Sequence, residues 1–336
     1  MSPRGRRSGG GSPELDLTTR LGPLVLPNPV MTAAGTAGHG AELAAYFDLA
    51  SIGAVVVKSL SAEPWPGNPP PRVCPVPGGM LNSVGLQGPG VAGWAREELP
   101  RLEASGARVV VSLWGRRVEE FAQAASLLEK VAASSPAVVA VELNVSCPNL
   151  EDRSRMFAHS PEATAAAVVA ARRIRLPLFA KLSPNTSELV EVARAALQAG
   201  ADGLTLTNTL LGLAIDTAER RPALGAGGGG LSGPALHSVA LRAVFECRRA
   251  FPAVPIIGVG GISEGEGALR MLMAGADAVQ VGTATLAEPR APALVLASLE
   301  RTLARHGATS LAAVVGSAQD DETKAAMAGT RRRDEP

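Results

Sequence analysis

Apolar positions follow two rhythms along this chain. Short runs rich in Val, Ile and Leu, apolar at nearly every position, occupy residues 29–33, 54–58, 108–113, 138–144, 178–182, 203–207, 255–259 and 278–282. Unbroken runs of this length are strands buried on both faces, as in a parallel sheet. Between them, apolar residues recur every three or four positions. In VEEFAQAASLLEKVAA, from Val118, this spacing puts Phe121, Ala125, Leu128 and Ala132 on one face of a helix. Ser160 followed by Pro161 and Glu162 predicts a capped helix start, Ser263 with Glu266 a capping box, and Gly200 and Gly275 helix ends. The segments AGADGLTLTN, from Ala199, and AGADAVQVGT, from Ala274, repeat the same order of helix end, turn and strand.

Eight strands alternating with helices over roughly 300 residues predict an α/β fold, a closed (β/α)8 TIM barrel. An open doubly wound sheet is the competing architecture, but G-x-G-x-x-G is missing after the first strand, and GTAGHG from Gly35 has a different spacing. LTTRLGPLVL, from Leu17, predicts a small β-hairpin at the barrel floor. The expected organisation is a disordered tail over 1–16, the barrel over 17–315 and a frayed tail over 316–336.

Charge and cysteines narrow the function. Lys plus Arg number 32 against 31 Asp plus Glu, so no overall field draws nucleic acid or an anionic membrane. A small-molecule protein is the reading that remains. Three separated cysteines, Cys74, Cys147 and Cys247, suggest neither a disulfide framework nor a metal cluster, and the histidines show no ligand spacing, so no metal is expected. The polar first residues, MSPRGRRSGGGSPELD, lack the apolar core of a secretion signal, and no apolar run reaches about 18 residues. A cytoplasmic protein is expected.

Barrel active sites lie at the C-terminal ends of the strands. Lys58, Ser112, Asn144, Lys181 and Asn208 fall there and converge on one mouth. GVGGIS (258–263) and VGTATL (281–286) follow the last two strands, where glycines let backbone N–H groups approach a phosphate. Either loop alone reads as a tight turn; the two together predict a phosphorylated ligand. Two lysines and several asparagines beside it suit a planar, electron-accepting ring whose reduced anion needs positive charge nearby. Flavin mononucleotide (FMN) has one phosphate and needs no dinucleotide fold. NVSCPNL (144–150) poses a separate question, whether Cys147 is packing or chemistry.

The same stretches carry a family resemblance. NPVMTAAGTAGHG, GAVVVKSLS, GNPPPRV, PGGMLNSVGLQGPG, ELNVSCPN, AKLSPN, NTLLGLAID, GGLSGPAL, GVGGI and VQVGTA occur in that order between residues 28 and 284. Over about 17–315 the chain resembles the class 1 dihydroorotate dehydrogenases, most closely the class 1B catalytic subunit. The resemblance implies FMN-dependent oxidation of dihydroorotate to orotate in pyrimidine biosynthesis. It implies Cys147 as the catalytic base. It implies substrate contacts at Lys58, Asn82, Ser83, Val84, Gly85, Leu86, Asn144, Asn149, Asn208 and Thr209. Flavin contacts are implied at Ala34, Lys58, Ser59, Ser112, Asn144, Lys181, Thr207, Gly233, Gly260, Gly261, Gly282 and Thr283.

Those residue types suit the reaction. Dihydroorotate loses a proton from C5 and a hydride from C6, which calls for a base on one face and flavin on the other. Asparagines offer both donor and acceptor to an amide-rich ring. The long segments 61–90 and 210–233 are expected to cover part of the site, and 150–160 to act as a lid. The chain departs from the family at Ser112, where asparagine is usual, at Ala34, where serine is usual, and at Gly88, where asparagine is common.

Class 1B relatives pass electrons to NAD through a subunit carrying FAD and an iron-sulfur cluster, and three cysteines leave no quartet for a cluster here. A partner subunit, in a heterotetramer, is therefore implied. A fumarate-using class 1A-like homodimer, an FMN oxidoreductase acting on another cyclic amide, and a non-catalytic flavin- or phosphate-binding barrel are the alternatives.

Overall fold

The apolar runs join into one parallel sheet. In the computed structural model, which describes residues 15–149 and 155–331, the strands are β1 (Val30–Thr32), β2 (Val55–Leu60), β3 (Val109–Leu113), β4 (Val138–Asn144), β5 (Leu178–Leu182), β6 (Gly203–Leu206), β7 (Ile256–Val259) and β8 (Ala278–Val281). Neighbours from β2 to β8 pair in parallel, and β8 pairs with β1 through Val279↔Val30. A parallel bridge between Met31 and Ala54, with Gly53 N–H donating to the Val30 carbonyl at 2.7 Å, closes β1 onto β2. The predicted (β/α)8 barrel is the observed one, and only β2 extends beyond its predicted end, to Leu60.

The helices are α1 (Gly90–Glu97), α2 (Leu99–Ala104), α3 (Val118–Ala132), α4 (Pro161–Ala171), α5 (Leu189–Gln198), α6 (His237–Ala250), α7 (Gly265–Ala274), α8 (Thr283–Ala287), α9 (Ala291–Arg305) and α10 (Asp321–Arg331). Ser160 Oγ caps α4 by accepting from Ala163 N–H at 3.1 Å, with Pro161 in the first turn. Gly275 ends α7 in the left-handed region at φ +119°. The capping box at Ser263 does not form, because α7 starts after Glu264 and Glu266 pairs with Arg270 instead.

Strand alternation divides the core in two. Outward-facing residues such as Val57, Val111 and Leu143 pack against the helices with Trp94, Phe121 and Leu128. Inward-facing Met31, Val56, Val110, Ala140, Phe179 and Ile257 fill the lower barrel together with Leu21, Leu24 and Leu26. These three leucines come from the expected hairpin, in which Thr19–Leu21 pairs with Leu24–Leu26. Thr19 Oγ1 donates to the Asp277 carbonyl at the start of β8, so the hairpin seals the floor.

Two long segments meet over the opposite end. Val73–Val76, Gly79–Asn82, Gly229–Ser232 and Leu210–Gly212 form a four-stranded antiparallel sheet, joined through Gly230↔Asn82. This sheet roofs the mouth, as expected of segments 61–90 and 210–233. The glycines are needed for close packing: a Cβ on Gly229 would lie 2.5 Å from the Asn82 carbonyl and one on Gly230 2.1 Å from Thr209 Oγ1.

The C-terminal end corrects an expectation. Residues from Gly316 to Arg331 do not fray over the described range: Gly316 and Ala318 N–H groups donate to the Leu272 and Met273 carbonyls, and α10 buries Met327. Gln319 Nε2 donates to the carbonyls of Ala274, at 2.6 Å, and Phe245, at 3.1 Å. Composition could not reveal this, because the carbonyls that hold the segment belong to distant helices. Gln319→Ala leaves the Ala274 carbonyl, at the C-terminal end of α7, without this donor and is expected to cost roughly 1–3 kcal/mol. A thermal melt checks this, and an unchanged midpoint contradicts it.

Candidate active site

Between the strand ends and the roof sheet lies a cavity of about 650 Å³. Its lining includes Ala34, Lys58, Ser59, Asn82, Ser83, Val84, Gly85, Leu86, Asn144, Lys181, Thr207, Asn208, Thr209, Gly233, Gly260, Gly261, Gly282 and Thr283. The sequence points to every one of them, and they come from nine separate stretches of the chain. Ser112 and Cys147 are not on its wall, and the Asn149 side chain lies outside the described ones. The sequence reading missed Gly35, Thr36, Met80, Ser146, Met156, Leu211, Leu236 and Leu286, which also face the cavity. Ser146 could have been found from its place beside Cys147; the apolar ones carry no local signal.

A lattice of hydrogen bonds fixes the polar wall. Asn208 Nδ2 donates to Asn144 Oδ1 at 3.2 Å, and Asn144 Nδ2 donates to Ser59 Oγ at 3.2 Å. Ser59 Oγ in turn shares a proton with Ser112 Oγ at 2.9 Å. Ser112 is thereby corrected from a lining residue to a buried support, since its short side chain stops at Ser59. Each asparagine amide is oriented before any ligand arrives, as specific recognition needs. The turn carrying Val84 to Leu86 is backbone-constrained: Gly85 has φ +73° and Leu86, unusually for a leucine, φ +60°. Asn68 Nδ2 braces it from below by donating to the Ser83 carbonyl and hydroxyl.

The two lysines differ in environment. Lys181 Nζ donates to Glu142 Oε1 at 3.0 Å and to Gln280 Oε1 at 3.3 Å, while Gln280 Nε2 donates to Glu142 Oε2 at 2.7 Å. The closed ring of contacts satisfies a buried charge pair and leaves a Lys181 N–H for the cavity. Lys58, by contrast, pairs with no carboxylate among the described residues. Burial, with Arg72 adding repulsion, holds its ammonium below the usual lysine range. His39 is pushed down too, by burial first and Lys58 second, with Glu42 opposing. The cavity wall at Lys58 therefore carries a positive charge that no carboxylate pairs among the described residues, which suits an anion.

The cavity also fits a phosphorylated flavin. Gly260 and Gly261 sit so close to α6 that a Cβ would lie 2.6 Å from Ala240 Cβ on the first and 2.8 Å from His237 Cβ on the second. Only glycine brings the backbone this near, and its N–H groups are left for an anion. Beside them, at the end of the neighbouring strand β8, Gly282 and Thr283 complete the rim. Thr207 Oγ1 is buried on the lining without a hydrogen-bond partner, an orphan that a ligand heteroatom would satisfy.

Cys147 stands apart. Its thiol is buried and donates to the Gly115 carbonyl at 2.8 Å, with the Asn144 carbonyl at 3.3 Å. Burial pushes the thiol up to about 12, more than backbone hydrogen bonding at Gly115 and at Cys147 itself lowers it. Gly115 is held in turn by its neighbour Arg116, whose N–H and guanidinium both bond Glu120 and whose plane lies over Trp65. Around Cys147, Pro148–Asn149 pairs with Arg155–Met156, and of the candidate lid over 150–160 the residues 150–154 lie outside the described ones. Ser146, just ahead of this hairpin, and Met156, within it, both reach the cavity. The thiol is thus adjacent to the site and directed away from it.

Comparison with known proteins agrees with this geometry. The family model described as "Dihydroorotate dehydrogenase" matches residues 16–303. A protein of Pelobacter propionicus named "Dihydroorotate dehydrogenase B (NAD(+)), catalytic subunit" is 45% identical over 302 residues, covering 90% of this chain and 98% of that protein. Proteins of the same name from Desulforudis audaxviator and Geotalea daltonii are 47% and 45% identical, over 88% and 90% of this chain and 95% and 97% of theirs. With a family match across the whole barrel and relatives of nearly equal length, the chain belongs to the dihydroorotate dehydrogenase family, and within it is most like the class 1B catalytic subunits.

Proposed function

We propose that this chain oxidises dihydroorotate to orotate with FMN as its flavin. The observation that carries this reading is the cavity itself, where an unpaired lysine, a pre-oriented amide lattice and two glycine loops meet. The glycines at 233, 260, 261 and 282 and Thr283 would hold the phosphate end. Ala34, Ser59, Asn144, Lys181 and Thr207 would hold the ring system, with Ser112 acting through Ser59. Bound there, FMN supplies the hydride acceptor.

The chain's own residues do the rest. Lys58 and the backbone of Ser83 to Leu86 neutralise the substrate carboxylate, and Asn82, Asn144, Asn149, Asn208 and Thr209 read the amide edges of the ring. Cys147 takes the C5 proton as a thiolate, which requires that its thiol leave the Gly115 carbonyl, turn toward the cavity and first release its own proton to solvent. That rearrangement accompanies substrate binding, and it brings a base of suitable reactivity to the ring only when there is a proton to remove.

Electrons pass onward to NAD through a separate subunit carrying FAD and an iron-sulfur cluster. The relatives' name, a catalytic subunit linked to NAD(+), supports this, and three cysteines cannot ligate such a cluster here. The assembly is then a heterotetramer built on a homodimer, in the cytoplasm. No described helix is long and apolar enough to cross a membrane.

Anaerobic mixing of purified protein with dihydroorotate, followed by flavin absorbance, tests the reading. Bleaching within the first turnover is expected. Bleaching by a different pyrimidine but not by dihydroorotate would reassign the substrate, and protein purifying without any flavin would remove the catalytic reading altogether.

A further inference from the structure

Behind the glycine loop that follows β7 lies a histidine that neither lines the cavity nor belongs to the substrate set. His237 is the first residue of α6 and is half-buried. Its Nδ1 lies 2.9 Å from the Gly260 carbonyl oxygen. A carbonyl can only accept, so Nδ1 carries the proton and donates. The other ring nitrogen, Nε2, is buried with no partner among the described residues. The ring occupies the space between the glycine loop and the first turn of α7: a Cβ on Gly267 would come 3.7 Å from its Cε1.

We propose that His237 is a positioning residue for the terminal phosphate of the flavin. The inference rests on the FMN reading above and adds to it the group that aims the phosphate-binding amide. The Gly260–Gly261 peptide is trans, so its carbonyl and its N–H point in opposite directions. Anchoring the carbonyl on His237, outside the cavity, turns the Gly261 N–H to the cavity side. That N–H has no acceptor among the described residues, which leaves it for an anion.

The anchor matters because of the residue type beside it. Gly260 has φ +145° and Gly261 φ +65°, and a chain of two glycines can rotate its shared peptide plane at little steric cost. Glycine is required here for close packing on α6, and the same freedom lets the amide swing away from the phosphate. One hydrogen bond from a ring fixed at the start of α6 removes that freedom. Pre-orientation of this kind raises affinity by lowering the entropy lost when the ligand binds.

The test compares two flavins that differ only in phosphate. Full-length protein stripped of flavin is titrated with FMN and with riboflavin, following flavin fluorescence, for wild type, His237→Ala, His237→Leu and His237→Asn. Loss of the donor is expected to weaken FMN binding by about ten-fold while riboflavin changes by less than about two-fold. The riboflavin-to-FMN ratio of Kd values then falls by nearly the same factor. Asparagine, whose side-chain N–H can occupy the place of Nδ1, is expected to restore most of it. Should the alanine variant fail to fold in a thermal melt, the leucine variant, which keeps the volume without the donor, carries the comparison.

Equal weakening of both flavins in the donor-less variants would overturn the proposal in favour of simple packing, as would an unchanged ratio. Wild-type protein that binds riboflavin as well as FMN would instead overturn the phosphate reading of the loops, and this inference with it.

Discussion

Cys147→Ala is expected to slow the bleaching of bound flavin by dihydroorotate by about 10²–10⁴-fold, the usual contribution of a positioned base. FMN affinity is expected to stay within a few-fold of wild type, since the thiol does not line the cavity. Single-turnover absorbance under anaerobic conditions measures both quantities, and full-speed reduction by the alanine variant would sink the assignment of the base. The pH dependence separates this role from packing. In the resting arrangement burial raises the thiol from the ordinary 9.0 to about 12, so the folded protein holds the proton more tightly than an exposed cysteine does. The stabilisation from the buried thiol is therefore complete below about pH 9 and is lost as pH rises toward 12. Rising pH thus favours the arrangement in which Cys147 has left Gly115, and it also supplies the thiolate. Both effects make the wild-type rate climb on the alkaline side, and the alanine variant should show a flat profile there.

The second large effect concerns stability. Glu142→Ala is expected to destabilise the barrel by about 3–5 kcal/mol, because it leaves the Lys181 ammonium buried without its counter-charge. Lys181 and Glu142 side chains are only 7% and 1% exposed, so solvent cannot take over the role. In a protein of this size the thermal midpoint should fall by on the order of 10 °C. A double variant, Glu142→Leu with Lys181→Met, should regain much of that stability, since well-packed apolar residues replace a buried pair at little net cost. It should nevertheless bind FMN poorly, having lost the Lys181 donor. A double variant as unstable as Glu142→Ala would contradict this account of the pair.

Sequence made the strands legible because each is apolar on both faces, a pattern that no surface element shares. Lys58, Asn144, Lys181 and Asn208 were legible for a related reason: each is a polar residue ending or following such a run, and the barrel gathers those ends in one place. What stayed hidden depends on partners far away in the chain. Cys147 was correctly placed on the loop after β4, but its direction is set by the Gly115 carbonyl on another loop. Ser112 looked like a lining residue because it ends a strand, and only the Ser59 contact reveals it as a support. The tail beyond Gly316 reads as solvated, yet its ordering comes from carbonyls of α6 and α7.

The hairpin under the barrel has a practical consequence. Leu21, Leu24 and Leu26 plug the end opposite the cavity, and the described chain enters the fold beside that plug, where Leu311 N–H donates to the Asp16 carbonyl. A tether or fusion placed ahead of Leu15 would therefore grip the molecule by its base. Immobilised in that way on a bead or an electrode, the enzyme would present its flavin cavity outward to whatever carries its electrons away.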